Sequence, residues 1–167
     1  MKIEIEEKLQ LLVGKQLSRS TRAADMECMK FGILNKEFEG ELLNIGEYGL
    51  HLQSPWRIVR NDKIVIGSMD LSWEVRGGRN LRDLNMKILT TKSLTVTSIS
   101  ADNFGGFTLH FENNVVLEVI PCLSSKSEHA EYWRLLDNVN NGHLVVGGDG
   151  LYNTPEKDNH QDKEKSE

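Results

Sequence analysis

The chain has 167 residues, a net charge of −5 and a hydrophobic share of 38%. That balance argues against a nucleic-acid binder, whose phosphate partner calls for a basic footprint. No apolar run approaches the roughly 20 residues that span a bilayer.

The start, MKIEIEEKL, lacks the basic and apolar regions of a signal peptide, so a cytoplasmic protein is expected. The two cysteines, Cys28 and Cys122, stand in apolar surroundings and read as small buried hydrophobes, not as a disulfide.

Ile5, Leu9 and Leu12 fall at helical spacing over residues 3–13, and Gly14 suits the helix end. Residues 15–34 fit either a strand with an irregularity or a short helix. Much of NKEFEGELLNIGEYG reads as loop.

The pattern then alternates. Tyr48, Leu50, Leu52, Trp56 and Ile58 share one face of a strand, and His51, Gln53 and Arg57 share the other. Pro55 has no N–H to give a ladder, so the strand lies at an edge or bends there. Asn61-Asp62 supplies a turn, and IVIGSMDLSW pairs back as a hairpin 48–59/64–72, with Gly67 opposite Trp56.

A helix follows over 80–91. Leu81, Leu84, Ile88 and Leu89 supply its apolar period, and Asn80 suits the N-cap. Next come a strand over 94–101, a turn at Asn103-Phe104-Gly105-Gly106, and the alternating runs FTLHF and VVLEV. A three-residue loop, Glu112-Asn113-Asn114, pairs Phe111 with Val115, Leu109 with Leu117 and Phe107 with Val119. All six apolar residues then lie on one face, whereas a two-residue loop would set Leu109 against Glu118. Asn114 takes the left-handed position such a loop needs. Strands are also expected over 131–136 and 143–147. The charged segment 153–167 reads as a disordered tail on a single domain, 1–152.

The result is an α+β domain with a mainly antiparallel sheet, an N-terminal helix, one helix near 80–91, and six to eight strands. Two of the three tryptophans precede an arginine, as Trp56-Arg57 and Trp133-Arg134. Consecutive strand residues point to opposite faces, so the expected arrangement is indole in the core and guanidinium outward to a carboxylate. Asp70, Glu74, Glu118 and Glu131 are the available carboxylates.

Chemistry is sparse. The five histidines form no HExxH motif and no zinc-finger pairing with cysteine, and Cys122 and His129 stand seven apart across a serine-rich loop. VVGGDG lacks the third glycine and the following helix of a dinucleotide fingerprint. Ser54, Ser68 and Ser124-Ser125-Lys126-Ser127 have no partners that would make them nucleophiles. No cofactor and no metal are expected, and the balance points away from an enzyme.

Taken together, GLHLQSPWRI, IGSMDL, FTLHFENNVVLEVIP and EYWRL resemble a group of small bacterial proteins sharing these elements in this order, over roughly residues 45–147. Members of that group are similar to the small acidic proteins that accompany bacterial toxins as immunity proteins. The resemblance implies a protein partner, a toxin or other bacterial protein, and supplies no catalytic residue. The leading expectation is a non-enzymatic intracellular binding module. The alternative is a small-ligand-binding protein or enzyme with a site on the His51/Arg57 face. Candidate binding residues are His51, Gln53, Arg57, Asp70 and Arg134, with Trp56 and Trp133 as core.

Overall fold

In the computed structural model, the periodicity of Ile5, Leu9 and Leu12 becomes helix α1 (Lys2–Leu9) and a closing 3-10 turn, with all three side chains fully buried. The structure describes residues 1–34, 37–38, 41–42, 44–71, 76–92, 94–123 and 130–155. Glu74, the Ser124–Ser127 run, His129 and the tail beyond residue 155 lie outside the described residues.

Residues 15–34, ambiguous by pattern, form the antiparallel pair β1 (Leu17–Ala23) and β2 (Met26–Phe31). A register shift between Leu17 and Arg19 breaks the alternation of β1, so of the two alternatives the strand with an irregularity holds. Part of the expected loop forms a two-residue pair, β3 (Glu37–Phe38) with β4 (Glu41–Leu42).

The strand expected over 48–59 is two strands. β5 (Tyr48–Leu52) pairs with β2, and β6 (Trp56–Arg60) pairs with β7 (Lys63–Gly67) in a different sheet. Pro55 stands at the changeover, where its carbonyl accepts from Ile120 while Gln53 and Ser54 donate to Tyr132. The bend option therefore holds, and one continuous segment serves both sheets.

Asn61 and Asp62 adopt positive φ (49° and 61°) between Arg60 and Lys63, the conformation of a tight hairpin turn. The register beyond it differs from expectation. A shift between Ile58 and Val59 sets Gly67 opposite Arg57, not Trp56, and a 3-10 turn (Ser68–Leu71) replaces the end of the strand.

Helix α2 (Gly78–Thr91) begins after Gly77, whose φ of 82° is left-handed, and no side chain caps it, so Asn80 is not its N-cap. Its stripe is also corrected. Arg82, Met86 and Leu89 are buried, whereas Leu81, Leu84 and Ile88 face outward.

The remaining strands are β8 (Val96–Ala101), β9 (Phe107–Phe111), β10 (Val115–Val119), β11 (Glu131–Asp137), β12 (Gly142–Gly147) and β13 (Gly150–Pro155). The β9–β10 register is the one expected: Phe111 opposite Val115, Leu109 opposite Leu117, Phe107 opposite Val119. Asn113 and Asn114 both take positive φ in the loop. β13 carries ordered pairing to Pro155, beyond the expected tail boundary.

Among the described residues these strands make two large antiparallel sheets, in orders β1-β2-β5-β11-β12-β13 and β7-β6-β10-β9-β8. The fold is α+β. The sheets face each other across one apolar core in which Trp133 meets Phe107 edge-on at 4.8 Å and Phe31 stacks with Phe111. Trp56 and Trp133 are both in that core, at 3% and 0% exposure. A second link between the sheets joins Gln16 before β1 to Thr95 before β8. Of the two cysteines, Cys28 is buried as expected, but Cys122 is exposed.

Candidate functional site

Cross-strand register builds a row of side chains on the face of the six-stranded sheet turned away from the core. Thr21, Cys28, His51, Arg134, Val145 and Tyr152 stand successively opposite one another across its six strands. His51 and Arg134 are direct neighbours. Glu131 is three positions from Arg134 and in a regular strand would point the other way. A register shift between Glu131 and Trp133 turns it onto the same face. Arg134 Nε then donates to Glu131 Oε1 at 2.6 Å, and a second guanidinium nitrogen donates to the other carboxylate oxygen.

Burial pushes the Glu131 carboxyl up, but hydrogen bonds and charge from Arg134, with Gln53 and His51 adding, outweigh it and hold it below its ordinary value. Burial, then the Arg134 charge, pushes the His51 imidazole down. Burial and Glu27 push the neighbouring Cys28 thiol up. The Cys28–His51 pair therefore favours neutral thiol and neutral imidazole, opposite to the thiolate that nucleophilic catalysis needs.

His51, Gln53 and Arg134 line an open cavity of about 640 Å³ with Ala24 and Asp25 from the β1–β2 turn and Met26 at the start of β2. Three of the five candidate residues thus come together. The other two do not. Arg57 lies beyond the Pro55 changeover and its Nε donates to Glu118 on the adjacent strand of the other sheet. Asp70 accepts from the Gly67 backbone N–H at 2.9 Å and closes its own turn. Glu131 and Asp25 were not among the candidates. Glu131 carried a signal as an acid in a strand with an arginine nearby, but its facing depended on an irregularity the alternation does not show. Among the described residues no group of three His, Cys, Asp or Glu side chains is placed to hold a metal ion.

The depressed His51 value has a testable sign. The unfolded chain takes up a proton near pH 6.5 while the folded chain resists it, so this contribution to stability is present above about pH 6.5 and is lost as pH falls through the folded value. His51→Gln is expected to melt with a weaker pH dependence than wild type between pH 7 and pH 5. Equal slopes for the two proteins would show that His51 is not held neutral.

A second surface lies on α2. Leu81, Leu84 and Ile88 are 46%, 57% and 39% exposed, at i, i+3 and i+7 spacing. Met69 and Ile64, on the turn and the strand against which α2 packs, are also exposed. Arg82 is the reason. It points inward, where it donates to the fully buried Glu27 and to Ser20 Oγ, so the helix is held partly by ionic contact and its aliphatic stripe is left outside.

No protein-family model matches the chain, and no match is found among curated proteins or solved structures. No described helix is long and apolar enough to cross a membrane.

Proposed function

We propose that the protein is a non-enzymatic protein-binding module of the cytoplasm, of the kind that neutralises a bacterial toxin, and that it engages its partner through the outward face of α2. The observation that carries the reading is the exposure of Leu81, Leu84 and Ile88. Scattered exposed aliphatics are ordinary, but three in register on one helix, with Met69 and Ile64 on neighbouring elements, are the usual mark of a contact surface. The LHLQSPWRI and EYWRL elements resemble a group of small bacterial proteins that are in turn similar to small acidic immunity proteins, and this supports the toxin class of partner.

The test is retention of a host partner by tagged protein. Wild type is expected to hold a stoichiometric partner, and Leu84→Asp to lose it. Because Leu84 is exposed, the variant should unfold within about 0.5 kcal/mol of wild type. A Leu84→Asp protein that keeps the partner removes α2 from the interface.

The cavity beside His51 favours the second reading, a small-ligand site using His51, Gln53 and Arg134. Arg57 and Asp70 are not part of it. Its check is ligand-induced stabilisation that is abolished by Arg134→Gln.

A further inference from the structure

We propose that the protein pairs with a second copy of itself along β13, joining two six-stranded sheets into one continuous sheet across a twofold axis. This pairing is separate from docking through α2 and goes beyond it. A bare sheet edge offers unpaired N–H and C=O groups to any other strand, so edges are normally covered, charged or bulged. Among the described residues, three of the four edges of the two large sheets are treated in that way. On β8, the Ala101 N–H donates to the Glu6 carboxylate, and Val96 accepts from Gly14 and donates to Lys15. On β7, the Val65 carbonyl accepts from the Asn85 side chain of α2. β1 carries Arg19 and Arg22 and packs against α2. β13 ends the six-stranded sheet and has β12 as its one substantial neighbour among the described residues. Its sequence, GLYNTP over residues 150–155, has no charge.

Register fixes which backbone groups are free. Gly147 and Gly150 close a two-residue loop and so form a hydrogen-bonded pair. Tyr152 then bonds back to β12 opposite Val145, and Leu151, Asn153 and Pro155 turn their backbone groups to the open edge. Gly148 agrees with this parity, since its N–H donates the other way, to Ala130. Pro155 therefore withdraws no donor from the β12–β13 ladder. In a twofold antiparallel pairing centred on Tyr152, Leu151 of each copy stands opposite Asn153 of the other, and each both donates and accepts. A centre at Asn153 would set Leu151 against Pro155 and leave the Leu151 carbonyl without a donor. A centre at Leu151 would set Asn153 against Asp149 in the turn.

The Tyr152 centre also brings the two Tyr152 side chains side by side on the outer face, where Tyr152 is 47% exposed. Facing aromatic pairs stabilise a sheet, and facing like charges destabilise it. A second copy fits because the strand meets no charge of its own sign across the axis, and its one proline falls where no donor is asked for.

Sedimentation equilibrium of the full chain is expected to show a mass that rises with concentration from one chain to two. Tyr152→Glu sets two carboxylates face to face at the axis and should weaken dimerisation about tenfold or more. Asn153→Pro removes an outward N–H, leaves the β12 ladder intact, and should weaken it as well. A cross-link reads the register independently of those variants. In a Cys122→Ser background, Tyr152→Cys should give a disulfide-linked dimer under mild oxidation, because facing Cα atoms at a non-hydrogen-bonded pair lie about 4.5 Å apart. Thr154→Cys, displaced along the strands from its copy, should not. A chain that stays monomeric at every concentration overturns the proposal. So does a dimer that cross-links through Thr154→Cys and not Tyr152→Cys, or one that Leu84→Asp abolishes and Tyr152→Glu leaves intact. A monomer that loses its host partner on Tyr152→Glu would make the occupant a strand of another protein and overturn it equally.

Discussion

Trp133→Ala is expected to cost about 3–5 kcal/mol, enough to unfold most of the population of a domain of ordinary stability. Trp133 has 0% exposure, and it stands where the two sheets meet, edge-on to Phe107 at 4.8 Å. Its Nε1 donates to the Gly105 carbonyl at 2.7 Å, in a turn where Gly105 takes a left-handed φ of 90°. A Cβ on Gly105 would meet Tyr132 and Val146 at 3.2 Å, so this turn lies close against β11 and β12. Truncation removes the largest fully buried side chain among the described residues and leaves an acceptor without its donor. Trp133→Phe separates the two effects. It keeps the aromatic contact and loses the hydrogen bond, and should cost about 1–3 kcal/mol. Urea denaturation followed by far-ultraviolet circular dichroism measures both. A Trp133→Ala midpoint near that of wild type would mean that this contact does not hold the sheets together.

Arg82→Ala is expected to be of similar size, about 3–5 kcal/mol, for an electrostatic reason. Glu27 is 0% exposed on the core-facing side of β2, in line with Met29 and Phe31. Its carboxylate has the Arg82 guanidinium and the Ser20 hydroxyl as partners. Removing the guanidinium leaves a carboxylate without its counter-charge in a place water does not reach. The pair itself is a different matter, because desolvation of both charges offsets much of their attraction. The double replacement Glu27→Leu/Arg82→Met should therefore recover most of the loss. Chemical denaturation of the two single variants and the double variant gives the coupling between the sites. Additive losses would show that the two groups do not act as a pair.

Arg82 also marks the limit of what the α2 sequence discloses. An apolar stripe at helical spacing is ordinarily the buried one, and Leu81, Leu84 and Ile88 have that spacing. An arginine that finds a buried carboxylate overrides the stripe, and Glu27 lies in a segment whose alternation was broken by a register shift in β1. The 107–119 hairpin was legible in full because its apolar faces agree with only one loop length and its asparagines suit that loop. The same logic placed Trp56 and Trp133 in the core and turned Arg57 outward to a carboxylate, without singling out Glu118 among the four available. It failed at residues 48–60 because parity describes a face along one strand and carries no information about which sheet that strand belongs to. His51 and Arg57 keep the same parity and end on different sheets. The candidate site was legible in His51, Gln53 and Arg134, and not in Glu131, whose facing depends on a bulge, nor in Asp25, which comes from a turn inside a segment whose pattern fitted strand and helix alike.

The changeover at Pro55 has a consequence for the order in which this chain acquires structure. β5 needs β11, some eighty residues downstream, and β6 needs β10, nearly sixty downstream. β6 cannot complete its pairing until the chain has been synthesised past residue 119, and β5 until it has passed residue 137. A nascent chain emerging from the ribosome therefore carries Trp56 and Ile58 without β10, and Tyr48, Leu50 and Leu52 without β11, until those strands are made. Pairings of such long sequence separation slow folding and leave apolar strands open to aggregation until their partners arrive.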